Sequence, residues 1–172
     1  AENLMGAIPN GTMNGLQLLL NIIAMIIVIV ALVYLVNATL GMFPDVYGEA
    51  ITLERILGVL MAPLTMMMGI PWNEAFITGQ LMGTKVVLTE FVAYVRFGQI
   101  PVEELSERTR IIMTYALCGF ANFVSLGIMI TGLVTMVPER KVEIMDMGLK
   151  SIIAGTIATC TSATLVGIII TL

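Results

Sequence analysis

Glu90, Lys85, Asn122, Ser125 and Phe120 are the side chains whose types and surroundings could do chemistry. Glu90 and Lys85 lie in residues 71–97, a stretch apolar enough for a lipid bilayer that also carries Glu74 and Arg96. An acid or base at mid-helix costs roughly 2.5–3.5 kcal/mol on insertion scales, so an ionisable residue there is a functional candidate. An internal Lys85–Glu90 ion pair is the plain structural alternative. Spacing weakens it, because five residues turn a helix by about 500°, about 140° net. On a continuous helix Lys85 shares a face with Thr89, and Glu90 with Val86, Val87, Ala93 and Tyr94. Glu90 then needs a partner from elsewhere: a ligand, an ion, water or another helix. Lys85 either belongs to the same site or only stabilises the local fold.

Asn122 and Ser125 stand three apart in Cys118-Gly119-Phe120-Ala121-Asn122-Phe123-Val124-Ser125-Leu126-Gly127. Both offer donors and acceptors suited to hydroxyls and amides, and Phe120 could stack on a planar ring. Hydrogen bonding between membrane helices would use the same residue types. The chain has no histidine, which removes Ser-His and Cys-His nucleophile pairs and a His-based zinc site. Glu90 stands alone near mid-segment, without the second carboxylate of an acid–base pair. An enzyme is therefore not expected. Cys118 and Cys160 lie in apolar helical stretches and read as small packing residues. A net charge of −4 at pH 7 argues against nucleic-acid or anionic-lipid recognition.

These side chains must be positioned by membrane helices. Of the 172 residues 58% are hydrophobic and 12% charged, and the mean hydropathy is +1.00. Soluble domains run near 45–50% and 25%. The expected fold is all-α and integral to the membrane: transmembrane helices, one re-entrant helical hairpin and a broken, unwound helix. Residues 12–37 form a first transmembrane helix, with Asn21 and Asn37 its main polar side chains. Residues 52–70 form an interfacial or broken helix, capped by Thr52 and interrupted by Pro63, with Glu49, Glu54 and Arg55 confined to its start. Residues 71–97 are the hairpin. Gly79 and Gly83 bracket its turn, and each arm of about 11 residues reaches about 16 Å, near the bilayer midplane. Residues 106–137 form the discontinuous helix, capped by Ser106 and unwound across 118–127. Residues 138–172 form the last transmembrane helix, where Gly155, Thr159, Ala163 and Gly167 make a small-residue stripe that lets another helix approach. The first residue is Ala1, and no basic region precedes the first apolar run. The chain reads as a piece of a longer polypeptide without a signal peptide.

A discontinuous helix facing a polar hairpin is how many secondary transporters build a midplane site. Gly83-Thr84-Lys85-Val86-Val87-Leu88-Thr89-Glu90-Phe91-Val92-Ala93-Tyr94 resembles G-x-K-x-x-x-N-E-F-V-A-Y, a signature of the concentrative nucleoside transporters. Ala116-Leu117-Cys118-Gly119-Phe120-Ala121-Asn122-Phe123-Val124-Ser125-Leu126-Gly127-Ile128 resembles their second signature, ALCGFANFSSIGI. The resemblance implies the C-terminal domain of such a transporter, with residues 12–37 as a scaffold helix. It implies a nucleoside substrate, with Glu90, Asn122 and Ser125 on the ribose hydroxyls and Phe120 against the nucleoside. Gly83, Lys85 and Thr89 belong to the supporting motif. It also implies a homotrimer in a bacterial cytoplasmic (inner) membrane, with no cofactor. The coupling Na+ or H+ and the nucleobase would be bound by the N-terminal half, through its first hairpin and fourth helix. Thr89 departs from the family's Asn, and Val124 from a Ser.

A membrane scaffold or gate-type domain of related architecture that does not transport is the competing expectation. A scaffold should tolerate Glu90→Gln and a transporter should not.

Overall fold

The computed structural model describes residues 4–46, 48 and 50–170. Glu49 and the final two positions of the last expected helix lie outside the described residues. The described elements are helical: α1 (Leu4–Leu40), α2 (Leu53–Met67), α3 (Trp72–Val87), α4 (Glu90–Gln99), α5 (Glu107–Leu117), α6 (Phe123–Met136) and α7 (Lys141–Ile169), with short 3-10 turns at Val102–Glu104 and Pro138–Arg140.

α1 is longer than residues 12–37. Its 37 residues span about 55 Å, and Pro9 sits inside it near the start. Only 6% of its apolar window is buried against the rest of the chain, whereas 28% of the window in the helix Pro138–Ile169 is. Both helices are long and apolar enough to cross a membrane. α1 meets the other helices along one side: Val33 packs with Val87 and Leu88 in a small apolar cluster, and Met25 reaches Gly127 of α6.

Pro63 does not break α2. The helix runs through it to Met67, and the lost backbone donor falls where Val59, the residue one turn back, is exposed. Thr52 caps the start, accepting from Arg55 N at 3.2 Å. The stop comes at Gly69, whose φ of 90° an L-residue rarely adopts.

The turn expected at Gly79 and Gly83 is also elsewhere. α3 runs straight through both glycines and ends at Leu88 (φ −97°, ψ −101°). They serve close packing instead. A β-carbon on Gly79 would stand 2.5 Å from the Gly58 carbonyl oxygen of α2, and one on Gly83 2.8 Å from Leu57 Cβ. Small residues let these helices touch along their backbones. The chain then folds back at Leu88 and Thr89. Arg96 Nη1 of α4 donates to Thr84 Oγ1 of α3 at 3.1 Å, across a separation that would be about 18 Å on a continuous helix. Glu90 is therefore the first residue of a new helix and shares no helix face with Val86 or Val87.

The main core lies between α3, α5 and α7. Met82, Ile112, Met113, Ala116, Leu117 and Ala163 are fully buried in it. The stripe on α7 receives α5 and the segment after it: a β-carbon on Gly167 would meet Ile112 Cδ1 at 2.9 Å, and one on Gly155 Ala121 Cβ at 3.0 Å.

Candidate functional site

Two helix starts meet at Glu90. Thr89 is the N-cap of α4, its Oγ1 accepting from Val92 N at 3.3 Å. That places Glu90 in the first turn. Asn122 is the N-cap of α6 and closes a capping box with Ser125: Asn122 Oδ1 accepts from Ser125 N at 2.7 Å, and Ser125 Oγ accepts from Asn122 N at 3.1 Å. The other end of the Asn122 amide is free of this duty, and Nδ2 donates to Glu90 Oε2 at 2.7 Å. One fully buried amide thus starts a helix and holds a carboxylate. The N-terminal poles of α4 and α6 both favour the negative charge, each typically by about 0.3–1 kcal/mol.

Glu90 is half-buried. Among the described residues nothing donates to Oε1. Among the described residues the buried side-chain polar atom without a partner is Arg110 Nε, so Oε1 is not sealed among them and stays accessible. A fixed carboxylate with one oxygen held and one open can accept hydrogen bonds from a hydroxyl-bearing ligand.

Ser125 does not present its hydroxyl as the spacing suggests. It is 5% exposed, and its Oγ lies 2.9 Å from Phe120 O and 2.8 Å from Asn122 O, to either of which it can donate. The broken helix explains this: at an N-cap, a residue three positions on turns back to the cap rather than outward. Phe120 is 63% exposed. It lines an open groove of about 590 Å³ with Ser125, Met129, Ile152, Gly155 and Thr159. Glu90 and Asn122 do not line that groove, so the structure joins Glu90, Asn122 and Ser125 by hydrogen bonds and sets Phe120 on the groove beside them.

Lys85 is fully buried. Its Nζ donates to the Ala116 carbonyl at 2.8 Å and to Thr159 Oγ1 at 3.1 Å. Tyr94 OH donates to the Thr114 carbonyl. Among the described residues Lys85 forms no ion pair with Glu90. Gly83 contributes close packing and Thr89 a helix cap, as described above.

Two further carboxylates, named from the sequence without a site role, take specific partners. Glu74, 7% exposed, accepts from Ser106 N at 3.3 Å and Ser106 Oγ at 3.1 Å, against the N-cap of α5. Glu54, also 7% exposed, accepts from Asn37 Nδ2 at 2.9 Å and pairs with Arg96 at 3.1 Å. Asn37 Oδ1 accepts from Leu53 N at 2.8 Å. This network joins α1, α2 and α4, and through Arg96 and Thr84 it reaches α3. The signal that could have found it is a lone amide at the end of an apolar run followed by a lone acid in the next helix.

Residues 1–167 match the family described as Na+ dependent nucleoside transporter C-terminus. The chain is 43% identical over 171 residues to an uncharacterized transporter of Bacillus subtilis, YutK, covering 99% of this chain and 42% of that protein. It is 42% identical over 173 residues to the nucleoside permease NupC of Helicobacter pylori, covering 98% and 41%. Among solved structures it is similar to a variant of CNTnw in its intermediate 2 state, with a TM-score of 0.89 and 37% identity over 98% of this chain and 42% of that one. The chain spans about two-fifths of the length of these relatives. NupC is a nucleoside permease and YutK an uncharacterized transporter; the family is one of nucleoside transporters, integral membrane proteins rather than enzymes. On the match over residues 1–167, the chain belongs to the Na+ dependent nucleoside transporter family, in its C-terminal part.

Proposed function

We propose that this chain acts within a transporter that carries nucleosides across a membrane on a cation gradient, and that it supplies the ribose-binding half of the site. The observation that carries this is the state of Glu90: Oε2 is fixed by Asn122 and Oε1 is open. The vicinal hydroxyls of a ribose are donors that a fixed carboxylate can accept. Phe120 offers an exposed flat face at the neighbouring groove. Ser125 acts through the cap that orients Asn122. Na+ is the coupling ion that the family's description favours over H+, held with the nucleobase by residues beyond this chain. The α3–α4 fold-back is proposed as a re-entrant hairpin and α5–α6 as an unwound transmembrane helix, in a homotrimer of a bacterial inner membrane.

The test uses the full-length transporter in proteoliposomes. Uridine and adenosine uptake is measured with and without Na+ and H+ gradients, beside Glu90→Gln. Gradient-driven uptake that collapses in the variant supports the proposal. Correctly inserted protein that moves neither nucleoside points to the non-transporting scaffold instead.

A further inference from the structure

We infer that Lys85 is a positioning residue that holds the break between α5 and α6 in its site-forming shape; the inference rests on the ribose-site reading only for its consequence on uptake. A fully buried ammonium is costly unless its donors are satisfied. Ala116, one acceptor of Lys85, lies at the break, and Thr159, the other, stands on α7 against it. Ala116 is in the last turn of α5, which ends at Leu117. In a continuous helix its carbonyl would accept from the backbone N–H of Phe120. Lys85 takes the place of that N–H, and a cation is the favourable group at a helix C-terminus.

The second acceptor ties the break to α7. A β-carbon on Gly119 would stand 1.9 Å from Thr159 Cγ2, so glycine is required for the break to lie against Thr159. The Thr159 hydroxyl accepts from Lys85 and lies within bonding distance of the Gly155 and Thr156 carbonyls. One ammonium therefore replaces the missing helical bond and pins the departing chain. Three residues beyond Gly119, Asn122 makes the contact that fixes Glu90. Without the ammonium, the Ala116 carbonyl is left to recapture the Phe120 N–H, and rewinding would carry Asn122 away from Glu90.

The experiment is hydrogen–deuterium exchange and uptake on the full-length transporter in lipid, comparing wild type, Lys85→Met, Thr159→Val and the double variant. Lys85→Met keeps an unbranched stem only one atom shorter and removes its donors. Exchange across residues 118–122 is expected to change about threefold or more while α1 and the Glu74–Ser106 contact hold. The KM for uridine is expected to rise about tenfold with Vmax within about twofold, the scale of a lost charge-assisted hydrogen bond. Thr159→Val should act in the same direction and less, and the double variant should fall short of the product of the single effects. Unchanged exchange at 118–122 in assembled Lys85→Met overturns the inference, as do independent, multiplying effects. Should Lys85→Met not assemble, Thr159→Val decides alone, and unchanged exchange overturns the inference. Absence of nucleoside uptake in wild type sinks the functional reading and leaves the exchange measurement to judge Lys85.

Discussion

Glu74 and Glu90 each stand in the first turn of one helix and accept a hydrogen bond from the residue that caps another. At Glu74 both oxygens are taken by Ser106, and the side chain is 7% exposed. At Glu90 one oxygen is taken by Asn122, and the other is open. Both places use helix N-termini to make an anion tolerable in apolar surroundings. The difference lies in what is left over. A carboxylate held at both oxygens makes a joint between helices, and on the proposed reading one with an oxygen to spare serves a site.

The sharpest way to separate the two is to neutralise each acid in turn. Glu90→Gln keeps a carbonyl oxygen for Asn122, so assembly should survive while uptake falls about 10- to 100-fold, the worth of hydrogen bonds to a charged acceptor. Asn122→Asp keeps the cap oxygen of α6 and removes the donor to Glu90, setting two acids face to face. Uptake should fall about tenfold, with thermal stability reduced by about 1–2 kcal/mol. Glu74→Gln should do the reverse of Glu90→Gln. Its amide turns a donor toward Ser106, so thermal unfolding in lipid should show a loss of about 1–3 kcal/mol, with uptake per folded transporter unchanged. Equal uptake losses in the Glu74 and Glu90 variants would erase the distinction. The smallest effect belongs to Thr89, which acts as the cap of α4. Asn caps as well as Thr, so Thr89→Asn should shift stability by only a few tenths of a kcal/mol and leave the uridine KM within about twofold.

The Lys85 effect falls between the Glu90 and Glu74 variants. It sharpens the same comparison, because Lys85 acts at the Glu90 end through the α5–α6 break and should leave the Glu74–Ser106 contact intact.

Sequence reading reached Glu90 because a charge in an apolar stretch is visible without coordinates, and Asn122 and Ser125 because small polar residues cluster around them. It misplaced the turn of the α3–α4 pair. Glycines signal a turn and a close contact alike, and only the presence of α2 against Gly79 and Gly83 tells the two apart. Pro63 misled for a related reason: the helix tolerates one missing backbone bond where Val59, one turn back, is exposed, and exposure is not written in the local sequence.

Composition and pattern by themselves determined that the chain is helical, apolar and without histidine chemistry, because hydropathy and residue type are properties of single positions and short windows. Two ordered motifs marked the family. Tertiary structure alone decided which charge answers which. Lys85 and Ala116, Glu74 and Ser106, Asn37 and Glu54 are each brought together from distant positions. Satisfaction of a buried polar group depends on what the whole fold places within about 3 Å of it, and that is why the second oxygen of Glu90 could be told from those of Glu74 only in the folded chain.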